Sequence, residues 1–264
     1  MDQAEKDFIE FLFDRHCIKV GKRNEFKLKS LRLSNYFYDA QESFDSETLR
    51  IVGKAYASKI VQKYPPGSFD LFLGPAEKGT AIALATAMSL PEEYGRIPVY
   101  WDRKVPKDYG SENKRPSWIV GAYDTLKDMV RTKDVIRPLV PDDVITTGKA
   151  KKETMERFVS EAMMLKHELS VERPVERPFD VKFIEILISL HRRETDEIGN
   201  DPIQAFESVL GTSVRWVTDA YKVMGHLAEI GAIEKENVAD FVAYQEQYGL
   251  KEDKERLEEL ESLL

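Results

Sequence analysis

Asp142-Asp143-Val144-Ile145-Thr146-Thr147-Gly148 brings two adjacent carboxylates, two hydroxyls and a glycine into one short stretch. An apolar run from Val135 to Val140 precedes it, and a helical pattern from Lys149 to Met164 follows. Carboxylates at the C-terminal end of a strand can hold sugar hydroxyls. A small polar turn feeding a helix N-terminus can hold a phosphate through its backbone amides. The chemistry that suits this combination is binding of a ribose phosphate. The bland alternative is that Asp142-Asp143 only cap the turn, and the Thr-Thr-Gly that follows weighs against it.

Such a loop needs a strand before it and a helix after it, and the rest of the chain reads the same way. Phe69–Leu73, Pro98–Trp101, Trp118–Gly121, Val135–Val140, Phe183–Leu190 and Ser213–Val217 read as strands. Lys6–His16, Ser46–Lys63 with Ser46 as N-cap, Thr80–Ser89, Lys149–Met164, Pro202–Leu210 and Thr218–Glu229 read as helices. Alternation of the two predicts an α/β fold with a mostly parallel central sheet flanked by helices, and ligands bind beyond the C-terminal strand ends of such sheets. Gly74 and Asp142 both fall there. Before this core, Phe26–Lys29 and Asn35–Ala40 read as further strands. Asp102–Ser117 is charged and turn-rich and reads as a long mobile loop. The repeat Val171-Glu172-Arg173-Pro174-Val175-Glu176-Arg177-Pro178 reads as an extended surface loop, because prolines so close together resist helix. Glu234–Leu264 is highly charged, with leucines at near-helical spacing, and reads as an appended helix.

The 264 residues are 42% hydrophobic and 33% charged, enough for a real core and too apolar for disorder. A net charge of -8 disfavours broad nucleic-acid binding. The one cysteine, Cys17, allows no intrachain disulfide and fits a reducing cytoplasm, with burial a better fit than nucleophilic use. No stretch approaches a membrane span, and the acidic start has no apolar signal core. His16, His167, His191 and His226 have no metal-ligand spacing and read as packing or surface residues.

The acidic pair with Thr-Thr-Gly resembles the phosphoribosyl-pyrophosphate (PRPP) motif of type I phosphoribosyltransferases. Four further stretches, in family order, are similar to the orotate phosphoribosyltransferases: 26–37 to their N-terminal element, Gly74-Pro75-Ala76-Glu77-Lys78-Gly79 to their pyrophosphate segment, 102–110 to their mobile catalytic loop, and 186–194 to the strand and arginine that meet the base. The resemblance implies a type I phosphoribosyltransferase fold with an N-terminal hood (1–45), a domain over 1–232 with an insert at about 165–181, and a helical extension over 233–264. It implies transfer of the phosphoribosyl group from PRPP to orotate, with Mg2+ bridging pyrophosphate and ribose oxygens through few direct protein ligands, Asp142 or Asp143 being the candidates. It places Asp142 and Asp143 at the ribose, and Val144, Thr146, Thr147, Gly148 and Lys149 around the 5′-phosphate. It places Lys78 by the pyrophosphate and Lys29 between orotate and pyrophosphate. Tyr36, Phe37, Thr146 and Arg192 would meet the base. Arg103, Lys104 and Lys107 would act from the mobile loop, with Asp143 as the other catalytic residue. The 102–117 loop would close over the neighbouring subunit of a homodimer and exclude water.

Each of these residues has an ordinary reading too. Arg103, Lys104 and Lys107 could be a solvated loop, and Lys29 the exposed face of a strand. Tyr36 and Phe37 point to opposite sides if both lie on a strand, with Phe37 the expected core residue. Of Arg192 and Arg193, one is expected to be a surface charge. The chain also departs from the family pattern. Leu31 stands where Gly is usual and is costly if that backbone needs positive φ. Glu77 precedes Lys78 where an aromatic is frequent, Tyr109 stands where His is common, and Lys149 replaces a hydroxyl after Gly148, offering a point charge instead. These departures keep two other readings open: a phosphoribosyltransferase for another base, and a catalytically weak PRPP-binding regulatory protein.

Overall fold

The structure of the chain, a computed structural model, describes residues 1–28, 30–39, 45–107, 117–145, 148–172 and 178–264. It runs α1 (Gln3–Asp14), β1 (Ile18–Val20), β2 (Phe26–Lys27), β3 (Leu33–Ser34), β4 (Tyr36–Tyr38), α2 (Ser46–Val61), β5 (Leu71–Gly74) and α3 (Lys78–Ser89). It continues through β6 (Val99–Lys107), β7 (Ser117–Val120), α4 (Tyr123–Thr132), β8 (Val135–Ile136), β9 (Pro138–Asp142) and α5 (Lys149–Glu172). Then come β10 (Asp180–Val181), β11 (Glu185–His191), α6 (Pro202–Leu210), β12 (Val214–Asp219), α7 (Ala220–Glu229), α8 (Lys235–Tyr248) and α9 (Lys254–Glu261).

Six strands form the central sheet in the order β12-β11-β9-β5-β6-β7. All neighbours are parallel except β6 and β7. Helices cover both faces, so central strands are apolar throughout. In β5, Phe72 packs with Phe8, Tyr56 and Ile82 on one side, and Leu71 and Leu73 with Phe158 and Leu126 on the other. The α/β reading with a mostly parallel sheet is therefore what the chain adopts. At the start of the chain Glu5 is buried, held by Lys59 Nζ at 2.6 Å and Lys222 Nζ at 2.9 Å, so the first helix is tied to the seventh.

Several elements differ from the sequence reading, each for a local reason. The strand expected over Val135–Val140 splits at Arg137. The Asp70 carboxylate takes the Arg137 backbone amide at 2.8 Å and its guanidinium at 3.0 Å, while Asp70 N donates to the Arg137 carbonyl. The resumed strand, β9, ends on Asp142 itself. The loop expected from Asp102 is strand as far as Lys107, because that arm pairs with β7 in a hairpin with a register shift between Asp102 and Lys107. It shows no apolar alternation because its outer residues, such as Lys104 and Val105, are exposed. Helix α5 runs past Met164 to Glu172, burying Leu165 and Leu169, so Val171 and Glu172 close a helix rather than open an extended loop. Residues 173–177 of the repeat lie outside the described residues. The cap of α2 is Asp45, not Ser46: its carboxylate accepts the amides of Glu47 and Thr48 at 2.9 and 2.8 Å. Helix α4 had no sequence counterpart, although Leu126, Met129 and Val130 carry helical spacing and are buried.

The N-terminal element is two short antiparallel pairs, β1 with β4 and β2 with β3. The strand expected over Phe26–Lys29 is only Phe26–Lys27, and Lys29 lies outside the described residues. Leu31 sits in the turn between β2 and β3 with φ 65° and its side chain exposed. A left-handed leucine costs energy that glycine avoids, partly offset by the extra freedom glycine gives the unfolded chain. Leu31→Gly is expected to stabilise the protein by about 0.5–1 kcal/mol. Urea denaturation reads this as a raised midpoint at constant slope; a lowered midpoint would contradict it.

The C-terminal segment forms two helices rather than one, and they pack inward. Phe241, Val242 and Tyr244 of α8 and Leu260 of α9 are buried with Tyr36, Tyr221 and Met224. Arg193 binds Asp253 at 2.7 Å and 2.9 Å, and Arg256 pairs with Asp219.

Candidate active site

The acidic pair lies where β9 gives way to the turn before α5, and its two carboxylates differ sharply in surroundings. Asp142 is 5% exposed. Its Oδ1 accepts the Asp143 amide at 2.8 Å, its Oδ2 meets Lys151 Nζ at 2.6 Å, and its carbonyl accepts the Tyr56 hydroxyl at 2.6 Å. Burial pushes its carboxyl up to about 6; Lys151 pulls against that rise and Asp143 adds to it. Asp143 is more open. Its Oδ1 accepts the Val144 amide at 2.6 Å, and its Oδ2 lies 3.4 Å from Lys78 Nζ. Gly148 has φ 67°, and a Cβ there would lie 1.9 Å from the Phe206 ring, so this turn takes glycine for both conformation and space. Thr146 and Thr147 lie outside the described residues.

Lys78 is the first residue of α3, so it stands beside that helix's free amides. The segment before it is anchored from the next strand. Asp102 accepts the Ala76 amide at 2.9 Å and is itself held by Arg157 Nη1 at 2.5 Å. Gly79 closes the packing against the acidic pair, since a Cβ there would come within 2.9 Å of Asp142 Oδ1. Arg103 and Lys104 follow Asp102 on β6; the exposed Lys104 side chain pairs with the exposed Glu77. The cation of the expected catalytic loop thus meets the carboxylate of the pyrophosphate segment. Lys107 ends β6, and Tyr109 lies outside the described residues.

Next to this turn a cavity of about 690 Å3 opens between the hood and the ends of β9 and β11, with Phe37, Tyr38, Val144, Ile188 and Arg192 on its walls. Arg192 lies 4.1 Å over the Tyr36 ring. Its guanidinium meets Glu194 Oε1 at 2.7–2.8 Å and Ser34 Oγ at 3.4 Å. Burial works against its charge, and Tyr36 and Glu194 more than offset that, so its pKa is raised. Glu194 also accepts the hydroxyls of Tyr36 at 2.7 Å and Tyr244 at 3.0 Å, and lies 3.9 Å from Arg32. Arg32 donates to the carbonyls of Thr195 and Asp196 at 2.7 and 2.8 Å and stacks 4.5 Å from Tyr248. Two guanidiniums around one carboxylate leave these three side chains with a net positive charge, suited to an anionic ring; Asp196 and Glu197 also line the cavity.

His191, the last residue of β11, is stacked on Trp216 at 4.6 Å, and neither ring nitrogen has a hydrogen-bond partner among the described residues. Burial lowers its pKa to about 3, helped by Arg193. The unfolded chain therefore binds a proton near pH 6.5 that the folded chain refuses, and stability falls as pH drops from there towards 3. The melting temperature should decline less steeply between pH 7 and pH 4 in His191→Phe, with the carboxylates common to both proteins cancelling in the comparison. Parallel curves would refute this.

Some residues stand differently from their sequence reading. Tyr36, not Phe37, is the core residue; Phe37 lines the cavity and stacks on Phe26 at 6.2 Å. The strand's period was read correctly, but hydrophobicity picked the wrong face, because the Tyr36 hydroxyl finds a buried partner. Arg193 is not a surface charge, being buried against Asp253 and Glu252. Lys149 points to solvent, 3.9 Å from Glu153, while Lys151, two residues on, reaches the acidic pair. Lys151, Glu194 and Asp102 were given no role in the sequence reading, although Asp102 and Glu194 lie in stretches it singled out. A lysine two positions into a helix after an acidic turn was the available signal for the first.

The fold is that of the type I phosphoribosyltransferases. The chain's relatives place it more closely. The chain is 33% identical over 251 residues to the orotate phosphoribosyltransferase of Pseudomonas fluorescens, covering 95% of this chain and 100% of that one. It is 32% identical to that of Pseudomonas putida with the same coverage. The crystal structure of Francisella tularensis orotate phosphoribosyltransferase superposes with a TM-score of 0.66 at 24% identity, over 92% of this chain and 99% of that one, which is a likeness of fold. No protein-family model matches the chain. The chain belongs to the orotate phosphoribosyltransferase family.

Proposed function

We propose that this protein transfers the 5-phosphoribosyl group from PRPP to orotate, giving orotidine 5′-monophosphate and pyrophosphate, a step of pyrimidine biosynthesis. The observation that carries the base assignment is the cation-rich network of Arg192, Arg32 and Glu194 beside the acidic pair: a carboxylated pyrimidine needs that charge and a neutral purine does not. In the reaction the bond from ribose C1 to a pyrophosphate oxygen breaks, a bond to a ring nitrogen of orotate forms, and that nitrogen's proton leaves. Asp143, with its outer oxygen towards Lys78, would hold the ribose hydroxyls. The turn from Val144 to Gly148 would wrap the 5′-phosphate, and Lys78 at the start of α3 would face the departing pyrophosphate, where negative charge develops. Lys29 and the arm carrying Arg103, Lys104 and Lys107 would add further cations. Lys149 would act on the phosphate only by long-range attraction.

Mg2+ fits this site as a substrate-borne ion. The partly exposed carboxylate of Asp143, beside Lys78, is the candidate protein ligand. When bound, the ion would neutralise pyrophosphate charge. We further propose a homodimer in which the 102–117 arm reaches the neighbouring site, supported by the exposure of Lys104 and Val105 at its base, and a cytoplasmic location, supported by a single, buried cysteine, Cys17, which leaves no intrachain disulfide to form. Among the described residues no helix is long and apolar enough to cross a membrane.

The test is incubation of purified protein with orotate, PRPP and Mg2+, following loss of orotate absorbance. Turnover supports the proposal. Consumption of PRPP only with another base, or PRPP binding without pyrophosphate release, would replace it with one of the two other readings.

A further inference from the structure

Lys151 occupies an unusual position for a lysine. It lies in the first turn of α5, its side chain only 7% exposed, with its ammonium between Asp142 Oδ2 at 2.6 Å and the Val144 carbonyl at 2.5 Å. Those two acceptors flank Asp143. The ammonium therefore joins the end of β9 to the start of the phosphate turn across the residue expected to meet the ribose. Asp142 has no comparable freedom: one oxygen is taken by the Asp143 amide, the other by Lys151, and Gly79 packs against it. The two acids are thus not equivalent. One is part of the scaffold, and the other faces the cleft.

From this geometry we infer that Lys151 is a positioning residue for PRPP binding: it neutralises Asp142 and clamps the turn from Asp142 to Val144, so that Asp143 is presented to the ribose before substrate arrives. The inference rests on the PRPP reading above. It assigns Asp142 to holding the turn and gives the cation role after Gly148 to a lysine that never reaches the substrate, while Lys149, the neighbour in the motif, stays in solvent. A buried ammonium paired at close range is costly to remove singly, because its partner is left as an uncompensated charge, whereas removing both charges together is tolerated.

The experiment is a double-mutant cycle read as PRPP affinity, by calorimetry in Mg2+ without orotate, on the whole chain. Lys151→Met is expected to weaken PRPP binding by about tenfold or more in the native background, and by less than about threefold in an Asp142→Asn background. That pattern supports action through Asp142. An equal loss in both backgrounds would mean that Lys151 touches PRPP itself, and would overturn the assignment. So would unchanged affinity with a lowered melting temperature, since a merely structural lysine moves stability alone. If Lys151→Met does not fold, Asp142→Asn and Asp142→Asn/Lys151→Met carry the comparison. Affinities within about threefold of each other support the inference, and a larger loss on adding Lys151→Met overturns it. An unaltered chain that binds no PRPP would sink the phosphoribosyl reading itself, a result distinct from either failure of the cycle.

Discussion

Lys104→Ala is expected to lower kcat for orotidine monophosphate formation by about 10²- to 10³-fold, with the melting temperature unchanged within about 2 °C. The two effects separate because of where Lys104 sits. Its side chain and that of Glu77, its ion-pair partner, are both mostly solvent-exposed, 71% and 70%. A pair so exposed contributes little to stability. In the proposed reaction, by contrast, a lysine on an arm closing over the departing pyrophosphate would meet charge that develops only in the transition state, inside a site emptied of water. Glu77 must release it first, so Glu77→Gln is the natural companion variant and should not share the loss. Mixing Lys104→Ala with Asp143→Asn adds a second reading. If the arm serves the neighbouring subunit, a hybrid dimer recovers one intact site from two inactive parents. A Lys104→Ala protein with native kcat would remove the catalytic role of this arm.

Arg192→Gln is expected to raise the KM for orotate by about 100-fold while moving the KM for PRPP by less than about threefold. The guanidinium stands at the cavity wall between the Tyr36 ring and Glu194, and its hydrogen bonds and ion pair go to Glu194 and Ser34. Its loss removes the net positive charge of the network, because Arg32 and Glu194 then balance. It also leaves Glu194, a buried carboxylate, with two tyrosine hydroxyls and a guanidinium at 3.9 Å. The variant should therefore also lose about 2–3 kcal/mol of stability, and steady-state constants must be measured well below its melting point. An unchanged KM for orotate would detach Arg192 from the base and leave the cavity's occupant open.

The sequence made the chemistry-bearing loop more legible than its supports. Asp142, Asp143 and Gly148 could be found because an acidic pair at a strand end before a glycine turn is a local pattern. The parallel sheet could be found because β5, β9 and β11 are buried on both faces and read as unbroken apolar runs. Long-range pairing stayed hidden. Nothing local marks Asp70 as the residue that breaks the run at Arg137, or Asp102 as the anchor of Ala76. The outer part of the β6 arm, Arg103–Pro106, has no apolar alternation to read, and Lys104 and Val105 there are exposed. Lys149 and Lys151 differ in which side of a helix they occupy, and the motif's one-dimensional spacing drew notice only to Lys149, the one next to Gly148. The partners of Glu194 are spread over the hood, β11's exit and α8, so no window of sequence contains them.

The pairing of Glu5 with Lys222 has a consequence for how the protein is made. A ribosome builds α1 before the helices it packs against, and the buried carboxylate of Glu5 then waits through more than two hundred residues of synthesis for one of its two ammonium partners; the separation is 217 positions. Lys59 emerges early and can shield it, but the native arrangement closes only when α7 has left the exit tunnel. The hydroxyl of Tyr244, which completes the shell around Glu194, follows later still. The shell around Glu194 is therefore complete only once α8 has been made: stalled nascent chains ending before α7 should fold their early strands and helices yet leave α1 open to proteases and chaperones.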